Sequence, residues 1–124
     1  MKTGVNKKIL VVDDDIAILD VIKIILEDKG YTVLTVSNGA NVYSTIVKEF
    51  PHLILLDIWM SGFDGRDIAR ELKAQDHTKN IPIIIISAHN ETEKMAHEAG
   101  AQDFLPKPFD IEALLNVVEK HLPK

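Results

Sequence analysis

A single α/β domain, with a parallel sheet between helices on both faces, is the fold class this sequence predicts. Short apolar runs alternate with stretches of helical spacing all the way from residue 8 to residue 122. Several runs, Ile83-Ile84-Ile85-Ile86 above all, are β-branched and apolar at every position, which suits strands buried on both faces. The length of 124 residues is that of one ordinary domain, and no Pro/Gly/Ser-rich linker, repeat or low-complexity segment divides it. Right-handed crossovers between parallel strands then place helices on both sides of one sheet.

Strands are expected at 8–13, 31–37, 53–57, 82–87 and 102–106, and helices at 15–28, 40–49, 65–75, 90–99 and 110–122. Residues 1–7 read as an N-terminal arm ahead of a domain at 8–122. Gly30, Gly39 and Gly100 fall at junctions between helix and strand, where a left-handed residue is often needed. In the last helix Ile111, Leu114, Leu115, Val118 and Leu122 form the stripe of a helix buried on one side. The first helix is less regular. Ile18, Val21, Ile22, Ile25 and Leu26 share one face, with Leu19 on its margin and Ile16 well off it. Either the core face is wide, or an apolar patch beside Lys23 is left to dock a partner helix.

Composition excludes several function classes. With 14 Lys and Arg against 19 Asp and Glu, the net charge of −5 argues against direct nucleic-acid binding, which needs clustered basic residues. The absence of cysteine rules out thiol catalysis, thiolate-bound zinc and disulfides. The longest apolar runs are strand-sized, so no membrane span is expected. No leader with a cleavage site opens the chain, and a cytoplasmic location is the expectation. Beyond Leu122 only Pro123 and Lys124 remain, so the expectation is either a stand-alone domain that works by protein contacts or as a relay intermediate, or a piece of a longer chain.

The chemistry gathers at the carboxyl ends of the apolar runs. Asp13, Asp14 and Asp15 follow Ile9-Leu10-Val11-Val12, Asp57 follows Leu53-Ile54-Leu55-Leu56, and Ser87 follows the four isoleucines. In open α/β sheets that edge is where ligands bind. If the first and third strands are neighbours, their terminal carboxylates share one pocket, and repulsion raises the pKa of one or more unless a cation sits among them. An all-oxygen set of this kind suits Mg²⁺. Asp15 has a plainer role as the N-cap of the first helix. Lys107 lies between Pro106 and Pro108, which restricts its backbone and can hold its ammonium in place as a point charge for phosphate. The Lys107–Pro108 bond is also a candidate for the cis form.

Taken in order, Ile9-Leu10-Val11-Val12-Asp13-Asp14-Asp15, Leu55-Leu56-Asp57-Ile58-Trp59-Met60, Asp64-Gly65, Ser87-Ala88 and Lys107-Pro108-Phe109 resemble the receiver domain of two-component response regulators, from about Lys7 to Leu122. That resemblance implies a flavodoxin-like doubly wound (βα)5 sheet of strand order 2-1-3-4-5. It implies that Asp57 is the phosphoacceptor and that Asp13 and Asp14 place Mg²⁺, with Asp57 and the Trp59 backbone carbonyl as further ligands. Ser87 matches the hydroxyl that bonds a phosphoryl oxygen, Lys107 the lysine that pairs with another, and Phe104 the aromatic that moves with Ser87. The implied donor is a sensor histidine kinase or histidine phosphotransfer protein, docking at Ile16, Leu19, Pro108 and Phe109. The face of the fourth helix, fifth strand and fifth helix would carry output to a downstream protein or effector domain, or to a second copy in a phosphorylation-dependent homodimer. Such a domain catalyses only its own aspartyl phosphorylation and dephosphorylation.

Three positions depart from the family pattern or stand close to the site. Ser61 stands where many receivers carry proline, which predicts a more mobile loop from 58 to 64. Trp59 is large for a position that controls water access to an acyl phosphate, which predicts slow self-dephosphorylation. His89 is expected to overlook the site as a solvated side chain; with Glu93 and His97 it also has the spacing of a surface metal site, although a solvated face is the plainer reading. A haloacid-dehalogenase-like phosphatase shares the Asp-x-Asp after a strand, but Ala17 breaks its pattern and Asp57 would have no role. Flavin phosphate binding is disfavoured by three aspartates where backbone N–H groups are wanted. No Walker motif occurs. The remaining alternative is a receiver-like module that binds partners without being phosphorylated.

Overall fold

In the computed structural model, which describes residues 7–88, 90 and 92–123, the alternation of side chains along neighbouring strands sorts the core into two layers. The large sheet contains β1 (Lys8–Val12), β2 (Thr32–Val36), β3 (Leu53–Asp57), β6 (Ile83–Ser87) and β7 (Asp103–Pro106). Its order is β2-β1-β3-β6-β7, every pair parallel, which is the order 2-1-3-4-5 when only these strands are counted. Leu10, Val12, Ile54, Leu56, Ile83 and Ile85 face α2 (Val42–Glu49), α3 (Gly65–Lys73) and α4 (Thr92–Glu98). Ile9, Val11, Leu53, Leu55, Ile84 and Ile86 face α1 (Ile16–Asp28) and α5 (Ile111–His121). Burial on both sides explains the unbroken apolar runs, each such side chain contributing about 1.5–3 kcal/mol. No described helix is long and apolar enough to cross a membrane.

Several elements differ from the expectation. The apolar face of α1 is turned so that Leu19, Ile22 and Leu26 form its buried seam, whereas Ile18 and Ile25 are half-buried and Val21 is 53% exposed. In α5, Val117 joins Leu114 and Val118 in the core, and Ile111 is exposed. Gly30 and Gly100 adopt the left-handed backbone expected of them, with φ of 94° and 80°. Gly39 does not. A Cβ there would run into the ring of Phe63, so its requirement is space. The left-handed residue that closes α2 is instead Phe50.

Between β3 and α3 the chain forms a small antiparallel hairpin that the apolar pattern does not announce. It pairs β4 (Trp59–Met60) with β5 (Phe63–Asp64) around Ser61 and Gly62. Gly62, at φ 76°, occupies the turn position where a positive angle favours glycine. A 3₁₀ turn at Gly39–Asn41 precedes α2, which therefore starts later than expected.

Candidate functional site

Continuing the alternation of β1 and β3 beyond their last apolar residues puts Asp13 and Asp57 on the same side of the sheet, at the carboxyl edge. Both are buried, at 2% and 5% exposure. The Asp13 N–H is anchored to the Val36 carbonyl at 3.2 Å, and the Asp15 N–H donates to Asp13 Oδ1 at 2.9 Å. Asp15 caps α1 through the N–H groups of Ala17 and Ile18, as its position suggested. Asp14 is exposed, and its Oδ2 accepts the Ser61 N–H at 3.0 Å.

Lys107 reaches into this pair from the end of β7. Its Nζ lies 2.8 Å from Asp13 Oδ2 and 3.5 Å from Asp57 Oδ1. Its N–H donates to the Ser87 carbonyl at 2.9 Å, which ties the lysine to the end of β6. The Lys107–Pro108 peptide is cis, as the sequence allowed. Ser87 is fully buried; its carbonyl also accepts the Thr92 hydroxyl at 3.2 Å. The register pairs Asp57 with Ile86 and Ser87 with Pro106, so Ser87 stands at the same edge, between the strands of Asp57 and Lys107.

Carboxylates outnumber lysine here. Potential ligand oxygens of Asp13, Asp14 and Asp57 all lie within 4.8 Å of one another. Burial, reinforced by the Asp13 charge and opposed by Lys107, pushes the Asp57 carboxyl up to about 6. Burial works against the charge on Lys107, but its bond to Asp13 and the charge of Asp57 outweigh that and raise its pKa. Oxygen donors with excess negative charge fit a hard divalent cation, and Asp13, Asp14 and Asp57 are the side chains that would hold it.

The hairpin closes over one side of the cluster. The Ile58 N–H donates to the Ile86 carbonyl at 3.3 Å, and the Gly65 N–H to the Ile58 carbonyl at 2.8 Å. A Cβ on Gly65 would collide with the Asp57 carbonyl, which explains glycine after Asp64. Asp64 caps α3 through the Arg66 N–H at 2.9 Å, and the Arg66 guanidinium holds its carboxyl below the usual range. The looser loop expected from Ser61 meets a specific tether, because a proline at 61 has no N–H to give Asp14.

Phe104 is half-buried on β7 and packs against the core layer on the α4 side. Pro108 and Phe109 line an apolar groove with Ala17, Ile18 and Val21, and Lys107 forms part of its wall. Ile16 is exposed at the start of α1. Leu19 does not belong to a docking surface: at 3% exposure it is part of the core, because the buried seam of α1 runs through it. His89 lies outside the described residues, and with it the possible metal spacing with Glu93 and His97. Sequence reasoning missed Arg66, Ser61 as a donor and Thr92. Asp64 followed two residues later by Arg66 was the one available signal.

The chain is similar to known proteins over most of its length. The family model for the response regulator receiver domain matches residues 9–119. The sporulation initiation phosphotransferase F of Bacillus subtilis is 36% identical over 120 residues, covering 95% of each chain. The phosphate regulon transcriptional regulatory protein PhoB of Pseudomonas aeruginosa is 39% identical over 113 residues, which are 90% of this chain and 49% of that one. Among solved structures, the Vibrio cholerae chemotaxis protein CheY4 superposes with a TM-score of 0.86 at 29% identity, covering 94% of this chain and 98% of the other.

Proposed function

This chain belongs to the response regulator receiver family, and from that premise we propose that it is a phosphorylation-switched signalling domain whose acceptor is Asp57. The single observation that carries the reading is the buried Asp13–Lys107–Asp57 constellation at the carboxyl edge. In the proposed transfer an Asp57 oxygen bonds to phosphorus as the bond from phosphorus to a donor histidine nitrogen breaks. Asp57 attacks as the carboxylate, the form that the neighbouring Lys107 favours, so no general base is needed. Lys107 neutralises charge on a transferring phosphoryl oxygen, and Ser87 donates its hydroxyl to another. Mg²⁺, held by Asp13, Asp14, Asp57 and the Trp59 carbonyl, supplies further charge neutralisation when bound. The chain's contribution is positioning, which converts a bimolecular encounter into an oriented one.

The switch is proposed to run through Ser87 and Phe104 to the face formed by α4, β7 and α5, where a downstream protein, effector domain or second copy would bind. The phosphohistidine donor, a sensor kinase or histidine phosphotransfer protein, would dock at Ile16 and the groove of Pro108 and Phe109. Hydrolysis of its own phosphoryl group is the domain's remaining reaction, slowed by Trp59; Trp59→Asn would then hydrolyse faster. The test uses Trp59 fluorescence during Mg²⁺ titration, then a small phosphodonor or beryllofluoride, with intact mass in parallel. A metal-dependent fluorescence change with one phosphoryl group added, both lost in Asp57→Asn, is the expected result. Absence of both the metal response and phosphoryl uptake would overturn the reading and leave a module that only binds partners.

A further inference from the structure

The hairpin Trp59–Asp64 carries a closed circuit of contacts beside the acceptor. Trp59 and Asp64 are register partners across β4 and β5. The Asp64 carboxylate grips Arg66 through Nε, at 3.0 and 3.1 Å, and through Nη2, at 2.6 Å. The guanidinium carbon of Arg66 then lies 5.0 Å from the centroid of the Trp59 ring. The indole is 49% exposed, two residues beyond Asp57, on a hairpin whose turn is tied to Asp14. A guanidinium already fixed by a two-oxygen fork loses little freedom in holding the ring.

We infer that Arg66, clamped by Asp64, is a positioning residue that orients the Trp59 indole, two residues past Asp57, and thereby lengthens the life of the aspartyl phosphate. The inference rests on Asp57 being the acceptor. In the hydrolysis concerned, a water oxygen bonds to phosphorus while the bond from phosphorus to the Asp57 oxygen breaks. Free carboxylate and inorganic phosphate leave, with the water's hydrogens on the phosphate. An indole oriented by Arg66 hinders the attacking water, and loss of that contact lowers the share of time the ring spends in the hindering position. A cation over an exposed ring shifts such a population about two- to fivefold, which sets the size of the effect.

The experiment compares wild type, Arg66→Ala, Arg66→Lys, Trp59→Ala and Arg66→Ala/Trp59→Ala. Each is phosphorylated with a small phosphodonor in Mg²⁺, the donor is removed, and loss of the phosphoryl group is followed by intact mass. Acrylamide quenching of Trp59 is measured in the unphosphorylated proteins that retain it. Arg66→Ala keeps the backbone N–H that Asp64 caps, so α3 retains its start. Its phosphoryl group is expected to decay about two- to fivefold faster and its Trp59 to quench more readily. Arg66→Lys, which keeps the charge without the fork, falls between the two. The double variant decays at the rate of Trp59→Ala alone, because Arg66 acts through the ring. An unchanged lifetime in Arg66→Ala, or additive effects in the double variant, overturns the inference. A wild-type protein that takes no phosphoryl group overturns the reading beneath it, and unchanged quenching in that case overturns the clamp as well.

Discussion

Within the single strand β3 the molecule changes character over one residue. From Leu53 to Leu56 every side chain is buried among apolar neighbours from both layers. At Asp57 the same strand ends in a buried carboxylate beside Asp13, with Lys107 the cation shared between them. The lower end of the sheet offers a second contrast: Asp103, at the start of β7, is matched by His121 at 2.7 Å and Lys120 at 3.6 Å. The body of the sheet is stable by burial and the carboxylate at the start of β7 has its own partners, whereas the carboxyl edge holds more carboxylates than cations, two of them buried. Functional sites commonly carry such local cost on a stable scaffold.

The largest effect should come from breaking the body. Leu55→Ala removes a fully buried side chain and is expected to lower stability by about 2–5 kcal/mol in denaturant unfolding, equally with and without Mg²⁺. The edge should respond in the opposite direction. Because the Asp57 carboxyl rises from 3.8 to about 6 on folding, its contribution is fully favourable below 3.8 and is lost as pH rises through 6. Asp57→Asn is therefore expected to stabilise the metal-free protein at neutral pH by about 1–3 kcal/mol, and to flatten its stability between those pH values. Unfolding curves in a chelator across that range check both. A smaller effect belongs to the tether: Ser61→Pro removes the N–H donated to Asp14 and should lower metal-free stability by about 1 kcal/mol, while Ser61→Ala keeps the donor and should not. Smallest is the paired end. His121 and the Phe104 N–H hold Asp103 below its ordinary pKa against the opposing effect of burial, so its contribution is present above the usual carboxylate range and lost as pH falls through the folded value. Asp103→Asn should soften only the acid limb of the stability curve, by less than about 1 kcal/mol.

Much of this contrast is legible from residue types. The central strands β1, β3 and β6 are buried on both faces and apolar almost throughout, which locates them, whereas β2 and β7 are partly exposed and show as shorter apolar runs; polar residues at the strand ends marked Asp13, Asp57, Ser87 and the neighbourhood of Lys107. Strand order came from family resemblance, since no local pattern says which strand neighbours which. The buried seam of α1 falls beside the face expected at Ile18, Val21, Ile22, Ile25 and Leu26, because apolar residues also stand at Ile16, Leu19 and Ile24; packing against the sheet and α5 decides it. The hairpin escaped because strands of two residues have no period, and its anchors, Ser61 to Asp14 and Gly65 to Ile58, lie in hydrogen bonds the sequence does not display. Arg66 stands in the first turn of α3, and nothing in its spacing from Trp59 announces that the fold brings the two together.

If surplus charge at the carboxyl edge is what the body of the sheet supports, a cation should relieve it through Asp57. The direct measurement is the thermal midpoint of wild type and Asp57→Asn at neutral pH, in chelator and in saturating Mg²⁺. Wild type is expected to be the less stable protein in chelator and to gain clearly more from Mg²⁺ than Asp57→Asn does. Equal gains in the two proteins, or no gain in wild type, would contradict the account.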